Sequence, residues 1–228
     1  MGERLVLLGD SIGKGTVYSV ESGGYEVLKE SFIQLLEKAR RMDVTNLSRY
    51  GCTVTKGKAI LLRQWEKICT QDTILLELGG NDCCYDWHAV SDAPDKEHSP
   101  RTSLIQFRQT YKEIIDHLKT TGKKIILLNL PPLEPERYFS WVTRNKNAEN
   151  ILRYLGGNKQ YMYRWHEMYS TQIHRIAEEE KVPLIDIRSV FLKIKNYADY
   201  LCADGIHPNA AGHRLIASCL TACEEFQA

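Results

Sequence analysis

Leu5-Val6-Leu7-Leu8-Gly9-Asp10-Ser11-Ile12-Gly13 is a short apolar run that stops at a Gly-Asp-Ser turn. A run of this length bounded by glycine predicts a buried parallel strand, because such a strand is covered by helices on both faces and has no polar side. Ser11 then falls just past the strand's carboxyl end, where open α/β sheets place their ligands. A serine there is a candidate nucleophile if a base reaches it from elsewhere in the chain. Asp204-Gly205-Ile206-His207-Pro208, at the far end, offers one.

The chain between these ends reads as scaffold. Positions 12–24, rich in Gly and Ser, predict a loop over the active face. Leu28, Phe32, Leu35, Leu36 and Ala39 recur at helical spacing and predict a helix over 25–41. Strands are expected at 43–48, 72–78, 124–130 and 182–187, and helices at 58–70, 103–120, 160–180 and 209–223. Strands alternating with helices predict an α/β fold, a five-stranded parallel sheet with helices on both faces and right-handed crossovers. A flavodoxin-like strand order, 2-1-3-4-5, would put Ser11 at the switch point between the first and third strands. Two stretches, near 83–100 and 131–158, are long for connections and are expected to be loop insertions, the second with partial helix around 147–154.

Length and composition bound the function. The 228 residues fit one domain, 1–228, and the 43% hydrophobic and 26% charged content is that of an ordinary globule. A net charge of +1 gives no electrostatic case for nucleic acid or an acidic membrane surface. No stretch approaches the ~20 apolar residues of a membrane span, and the apolar run after Arg4 is too brief for a signal-peptide core. The seven cysteines, an odd count without repeating spacing, are expected to be reduced thiols of a cytoplasmic protein. Cys83-Cys84 lacks the spacing of a zinc site, and no metal or cofactor is expected.

Chemistry concentrates at strand ends. Asp204 and His207 lie three residues apart around Gly205, so a tight turn can bring the carboxylate to its own histidine's Nδ1. Pro208 and Asn209 then end the turn and cap the last helix. Acyl transfer also needs donors for a tetrahedral oxyanion. Gly79-Gly80-Asn81-Asp82 places an amide at the end of the third strand, and Gly51 holds the equivalent place after the second. Gly9-Asp10-Ser11-Ile12-Gly13 also fits a G-x-S-x-G elbow, but that elbow needs earlier strands, and only eight residues precede Gly9. Gly13-Lys14-Gly15-Thr16 fails the phosphate-loop pattern at position 8 and after Lys14. His166, His174 and His213 are expected to be surface or capping residues.

Gly9-Asp10-Ser11, Gly51 after Asn46-Leu47-Ser48-Arg49-Tyr50, Gly80-Asn81-Asp82 and Asp204-Gly205-Ile206-His207-Pro208 together resemble the four sequence blocks of the SGNH (GDSL-type) hydrolases, in order and across nearly the whole chain. Each block alone is weak; the combination is specific. The resemblance implies a three-layer α/β/α sandwich and metal-free hydrolysis of esters or thioesters. It implies Ser11 as nucleophile, His207 as base and Asp204 as its orienting carboxylate. The Ser11 N–H, the Gly51 N–H and the Asn81 side chain would form the oxyanion hole. The expected partner is a small-molecule ester, with carbohydrate O-acetyl groups slightly favoured over lysophospholipids and acyl thioesters. Tyr85, Trp87, Tyr138, Phe139 and Trp141 in the two insertions would stack on sugars, line an acyl channel or anchor the loops. The contrasting reading is a non-catalytic binding module on the same fold, against which stands the presence of all five roles.

Overall fold

The computed structural model describes residues 2–226. The chain runs through β1 (Arg4–Gly9), β2 (Thr16–Ser19), β3 (Gly24–Val27), α1 (Phe32–Arg40), β4 (Asp43–Asn46), α2 (Val54–Arg63), α3 (Trp65–Cys69) and β5 (Thr73–Glu77). It continues with α4 (Trp87–Asp92), α5 (Leu104–Lys119), β6 (Lys124–Leu128), α6 (Pro135–Val142), α7 (Ala148–Tyr154), α8 (Gln160–Glu180), β7 (Leu184–Ile185), α9 (Ile187–Leu192) and α10 (Ala210–Ala222). Five strands pair in parallel in the order β4-β1-β5-β6-β7. Counted among themselves that is second, first, third, fourth, fifth; the numbering is offset by the antiparallel hairpin β2–β3, which stands outside the sheet.

The apolar runs explain the layers. Successive strand side chains point to opposite faces, so Leu5 and Leu7 join Phe32 and Leu36 of α1, Phe191 of α9 and Leu220 of α10. Val6 and Leu8 join Leu61 of α2, Phe107 and Tyr111 of α5, and Tyr169 and Ile173 of α8. Burying each such side chain is worth about 1.5–3 kcal/mol, and the two cores hold the sheet between helical layers. The ends of β4, β1 and β5, which carry the three sequence blocks upstream of His207, are thereby fixed side by side.

Several boundaries differ from expectation. The helix over 25–41 is only α1: Ser31 caps it in a box with Gln34, while Gly24–Val27 pairs with Thr16–Ser19 across a turn at Gly23. Val17, Tyr18, Tyr25 and Val27 are strand formers, and pairing across the turn outcompetes helical spacing there. Positions 58–70 divide into α2 and α3 at Gln64, and α2 begins earlier, at Val54, capped by Thr53, whose hydroxyl accepts from Lys56 N–H. The strand over 182–187 shrinks to Leu184–Ile185 because Asp186 accepts from Ser189 N–H and starts the unforeseen α9. The stretches near 83–100 and 131–158 are not plain loops. Asp86, Glu134 and Asn147 cap α4, α6 and α7, and a third apolar cluster, including Tyr85, Leu133, Tyr138 and Met162, packs them into a cap beside the sheet. Among the described residues no helix is long and apolar enough to cross a membrane.

Candidate active site

The turn after β1 is shaped from inside. Asp10 Oδ1 accepts from Ile12 N–H at 2.8 Å, a local closure typical of aspartate. Across the sheet, Glu77 Oε2 at the end of β5 accepts from Asp10 N–H at 3.1 Å and Gly13 N–H at 3.0 Å. Glu77 and Asp10 are both buried. Burial, then the neighbouring Asp10 carboxylate, pushes the Glu77 carboxyl well above its ordinary range.

The base reaches Ser11 from the other end of the chain. His207 Nε2 lies 2.9 Å from Ser11 Oγ, and His207 Nδ1 lies 2.6 Å from Asp204 Oδ2. Asp204 Oδ1 also accepts from Ile206 N–H and His207 N–H, both at 3.2 Å. Burial alone would raise the Asp204 carboxyl, but the His207 ring and these amides hold it below its usual value. It stays ionised. The turn needs glycine: Gly205 has φ +76°, and a Cβ there would sit 2.6 Å from Tyr138 N and 2.7 Å from Glu134 O. Asn209 then caps α10, accepting from Ala211 and Gly212 N–H. A hydroxyl on an imidazole whose other nitrogen is held by a carboxylate can be deprotonated when it attacks a carbonyl.

Asn81 is held beside the Ser11 turn. Asn81 Nδ2 donates to Asp10 Oδ2 at 2.9 Å. An amide NH₂ has two hydrogens, so one orients the group and the other is available. Asp82 ties this block to the preceding one, because its two oxygens accept from Val54 N–H at 3.1 Å, opening α2 just after Gly51. Burial drives the Asp82 carboxyl up to about 7. Gly51 has φ +66°, and a Cβ there would meet nothing within 4 Å. Its glycine is set by backbone conformation, not by lack of room. The cavity beside Ser11 is lined by Tyr50, Gly80 and Asn81, whereas Gly51 lies just outside the lining.

That cavity has an empty volume of about 820 Å³ including its mouth, and it runs from Ser11 and His207 under the cap. Leu130, Leu133, Leu155, Met162, Trp165 and Ile206 give it apolar walls. The insertion aromatics divide: Tyr85, Trp87 and Tyr138 line the cavity, Phe139 is buried, and Trp141 stands at the rim. There Tyr18 and Trp141 pack 4.3 Å apart, and the Arg144 guanidinium lies 3.7 Å over Trp141. Tyr25 meets the His207 ring at 5.2 Å and Tyr50 stacks near it at 6.4 Å. The hairpin delivers Tyr18 and Tyr25, which are paired directly across β2 and β3. Strand formers alternating around a Gly-Gly turn were the signal for it.

Cys83 and Cys84 also line the cavity. His166 is neither a surface nor a capping residue: it is 8% exposed and lines the same cavity. Met162, His166, Tyr169 and Ile173 recur at helical spacing on the buried side of α8, and that stripe could have found it. His213 is fully buried, its Nδ1 accepting from Phe32 N–H at 3.3 Å, so it caps the neighbouring α1. His174 is exposed, as expected, with its Nε2 2.8 Å from Asn129 Nδ2.

The family model described as "GDSL-like Lipase/Acylhydrolase family" matches residues 7–215. An acetylxylan esterase of Geobacillus stearothermophilus is 26% identical over 95% of this chain and 91% of its own length. An isoamyl acetate-hydrolyzing esterase of Saccharomyces cerevisiae is 24% identical over 93% of this chain and 82% of its own. The solved structure of a lipase/acylhydrolase from Enterococcus faecalis superposes with a TM-score of 0.67 at 18% identity, covering 96% of this chain and 93% of that one. That last likeness concerns the fold.

Proposed function

This chain belongs to the GDSL-like lipase/acylhydrolase family and is an ester hydrolase; from that premise we propose that Ser11 forms an acyl-enzyme on small carboxylic esters, O-acetyl esters of carbohydrates foremost. The observation that carries the reading is the continuous contact from Asp204 to His207 to Ser11, 2.6 and 2.9 Å, opening on a cavity. Ser11 attacks the ester carbonyl while His207 takes its proton. Asp204 keeps the proton of Nδ1 in place and stabilises the imidazolium. The negative charge that develops on the carbonyl oxygen is met by the Asn81 amide and the Ser11 and Gly51 N–H groups, which make no hydrogen bond among the described residues. His207 returns the proton to the leaving alcohol, and a water activated by the same histidine releases the acid. The O-acetyl preference is supported by relatives whose names specify acetyl esters.

The test is hydrolysis of p-nitrophenyl acetate, then of an acyl-length series and acetylated xylooligosaccharides, by the parent protein and by Ser11→Ala. Loss of the nucleophile is expected to lower kcat on the order of 10⁶-fold with the melting temperature unchanged. A folded variant that keeps more than about a hundredth of the activity removes Ser11 from the role.

A further inference from the structure

Among the residues that line the cavity away from Ser11, one imidazole, that of His166, has its hydrogen assigned by its neighbours. Arg188, at the start of α9, is 3% exposed. Its Nη1 donates to Leu130 O at 3.2 Å and Pro131 O at 3.4 Å and lies 3.4 Å from His166 Nδ1. The Glu167 carboxylate balances its charge, and the Tyr163 ring lies 4.9 Å from it. Arginine has hydrogens to give and no lone pair to offer. His166 Nδ1 must therefore be the acceptor, and in a neutral imidazole the proton then sits on Nε2. The ring is neutral at working pH, since burial and then the Arg188 charge push its pKa down to about 3. Nε2 has no hydrogen-bond partner among the described residues, and with the ring lining the cavity it is the nitrogen left to face it. Leu130, Leu155 and Trp165, which also line the cavity, offer no acceptor side chain, and the Met162 sulfur is only a weak one.

We propose that His166 is a specificity-determining residue, whose Nε2–H reads an oxygen acceptor carried by the part of the ester that enters the cavity. The inference rests on the Ser11 reading above, because it takes this cavity as the substrate's. A buried donor left unpaired is costly, so a purely hydrocarbon group in the same space is penalised relative to one bearing an ether, hydroxyl or carbonyl oxygen. A carbohydrate alcohol supplies such an oxygen on the alcohol side and an oxygenated acid supplies it on the acyl side. The chemistry recognised is the same.

The test compares matched pairs in which an ether oxygen replaces one methylene: 3-methoxypropyl acetate against pentyl acetate, and ethyl 4-methoxybutanoate against ethyl hexanoate. For the parent protein the ether-to-methylene ratio of kcat/KM in one pair is expected to be about tenfold higher than for His166→Phe. His166→Gln, which keeps a donor near Nε2, is expected to retain most of the ratio; both variants are checked by thermal melting. Which pair responds identifies the side of the ester that occupies the cavity. Equal ratios in the parent protein, His166→Gln and His166→Phe for both pairs overturn the inference. Ser11→Ala on the same esters separates the two readings: if it is inactive while the ratios are equal, only the role of His166 fails.

Discussion

The side chains of Asn81 and Asp10, separated by 71 positions, meet at 2.9 Å at the adjacent ends of β5 and β1. The aspartate that shapes the Ser11 turn thus also aims the amide proposed to receive the oxyanion. Both Asp10 oxygens already accept hydrogen bonds, Oδ1 from Ile12 N–H and Oδ2 from Asn81 Nδ2, so its effect on chemistry is expected to pass through Asn81 and the Ser11 turn.

If so, Asn81→Ala lowers kcat by roughly 10²- to 10³-fold with KM little changed, because the bond forms mainly in the transition state. Asp10→Ala lowers kcat through the same group, and the double variant is expected to be little worse than the more damaged single one. Kinetics of all three with p-nitrophenyl acetate check this. Fully multiplicative losses would mean that Asp10 and Asn81 act independently.

Glu77 is expected to tolerate loss of its acid but not of its oxygen. Burial disfavours the charged form of this carboxyl, which accepts the Asp10 and Gly13 N–H groups through one oxygen, a task that a glutamine carbonyl can perform. Glu77→Gln should melt near the parent temperature with similar kcat. Glu77→Ala orphans both amides, at about 1–3 kcal/mol each, or roughly 2–4 °C in Tm for each kcal/mol. Equal melting temperatures for the Gln and Ala variants would show that the carboxyl does not hold the turn.

Asp82 gives a pH dependence of stability. Its carboxyl titrates at about 7 in the folded chain against an ordinary value of 3.8, so between these values the folded state binds the proton that the unfolded state has released. Its contribution is full below about pH 4 and is lost as pH rises through about 7. Melting scans from acid to neutral pH should show Asp82→Asn with a flatter profile, the parent losing stability relative to it toward neutral pH. A constant difference in Tm across that range would place the folded value near the ordinary one.

The sequence alone determined the sheet and the ends that matter. β1, β5 and β6 carry the apolar runs Leu5–Leu8, Ile74–Leu76 and Ile125–Leu128, each followed within three residues by Gly or Pro, a pattern expected of strands buried on both faces. Ser11, Asn81, Asp204 and His207 were legible because each sits at a turn with its own local chemistry. The placement of the hairpin of Tyr18 and Tyr25 against His207, the packing of the cap helices and the contact of His166 with Arg188 were not. Their residues are aromatic and mixed in polarity, and such segments have no preferred neighbour until the sheet supplies one. The same limit applied to the partners of polar groups. Glu77 and Arg188 are buried charged residues that local sequence would place at the surface. Only tertiary packing, by burying them and presenting Asp10, Gly13 and His166, decided what each holds.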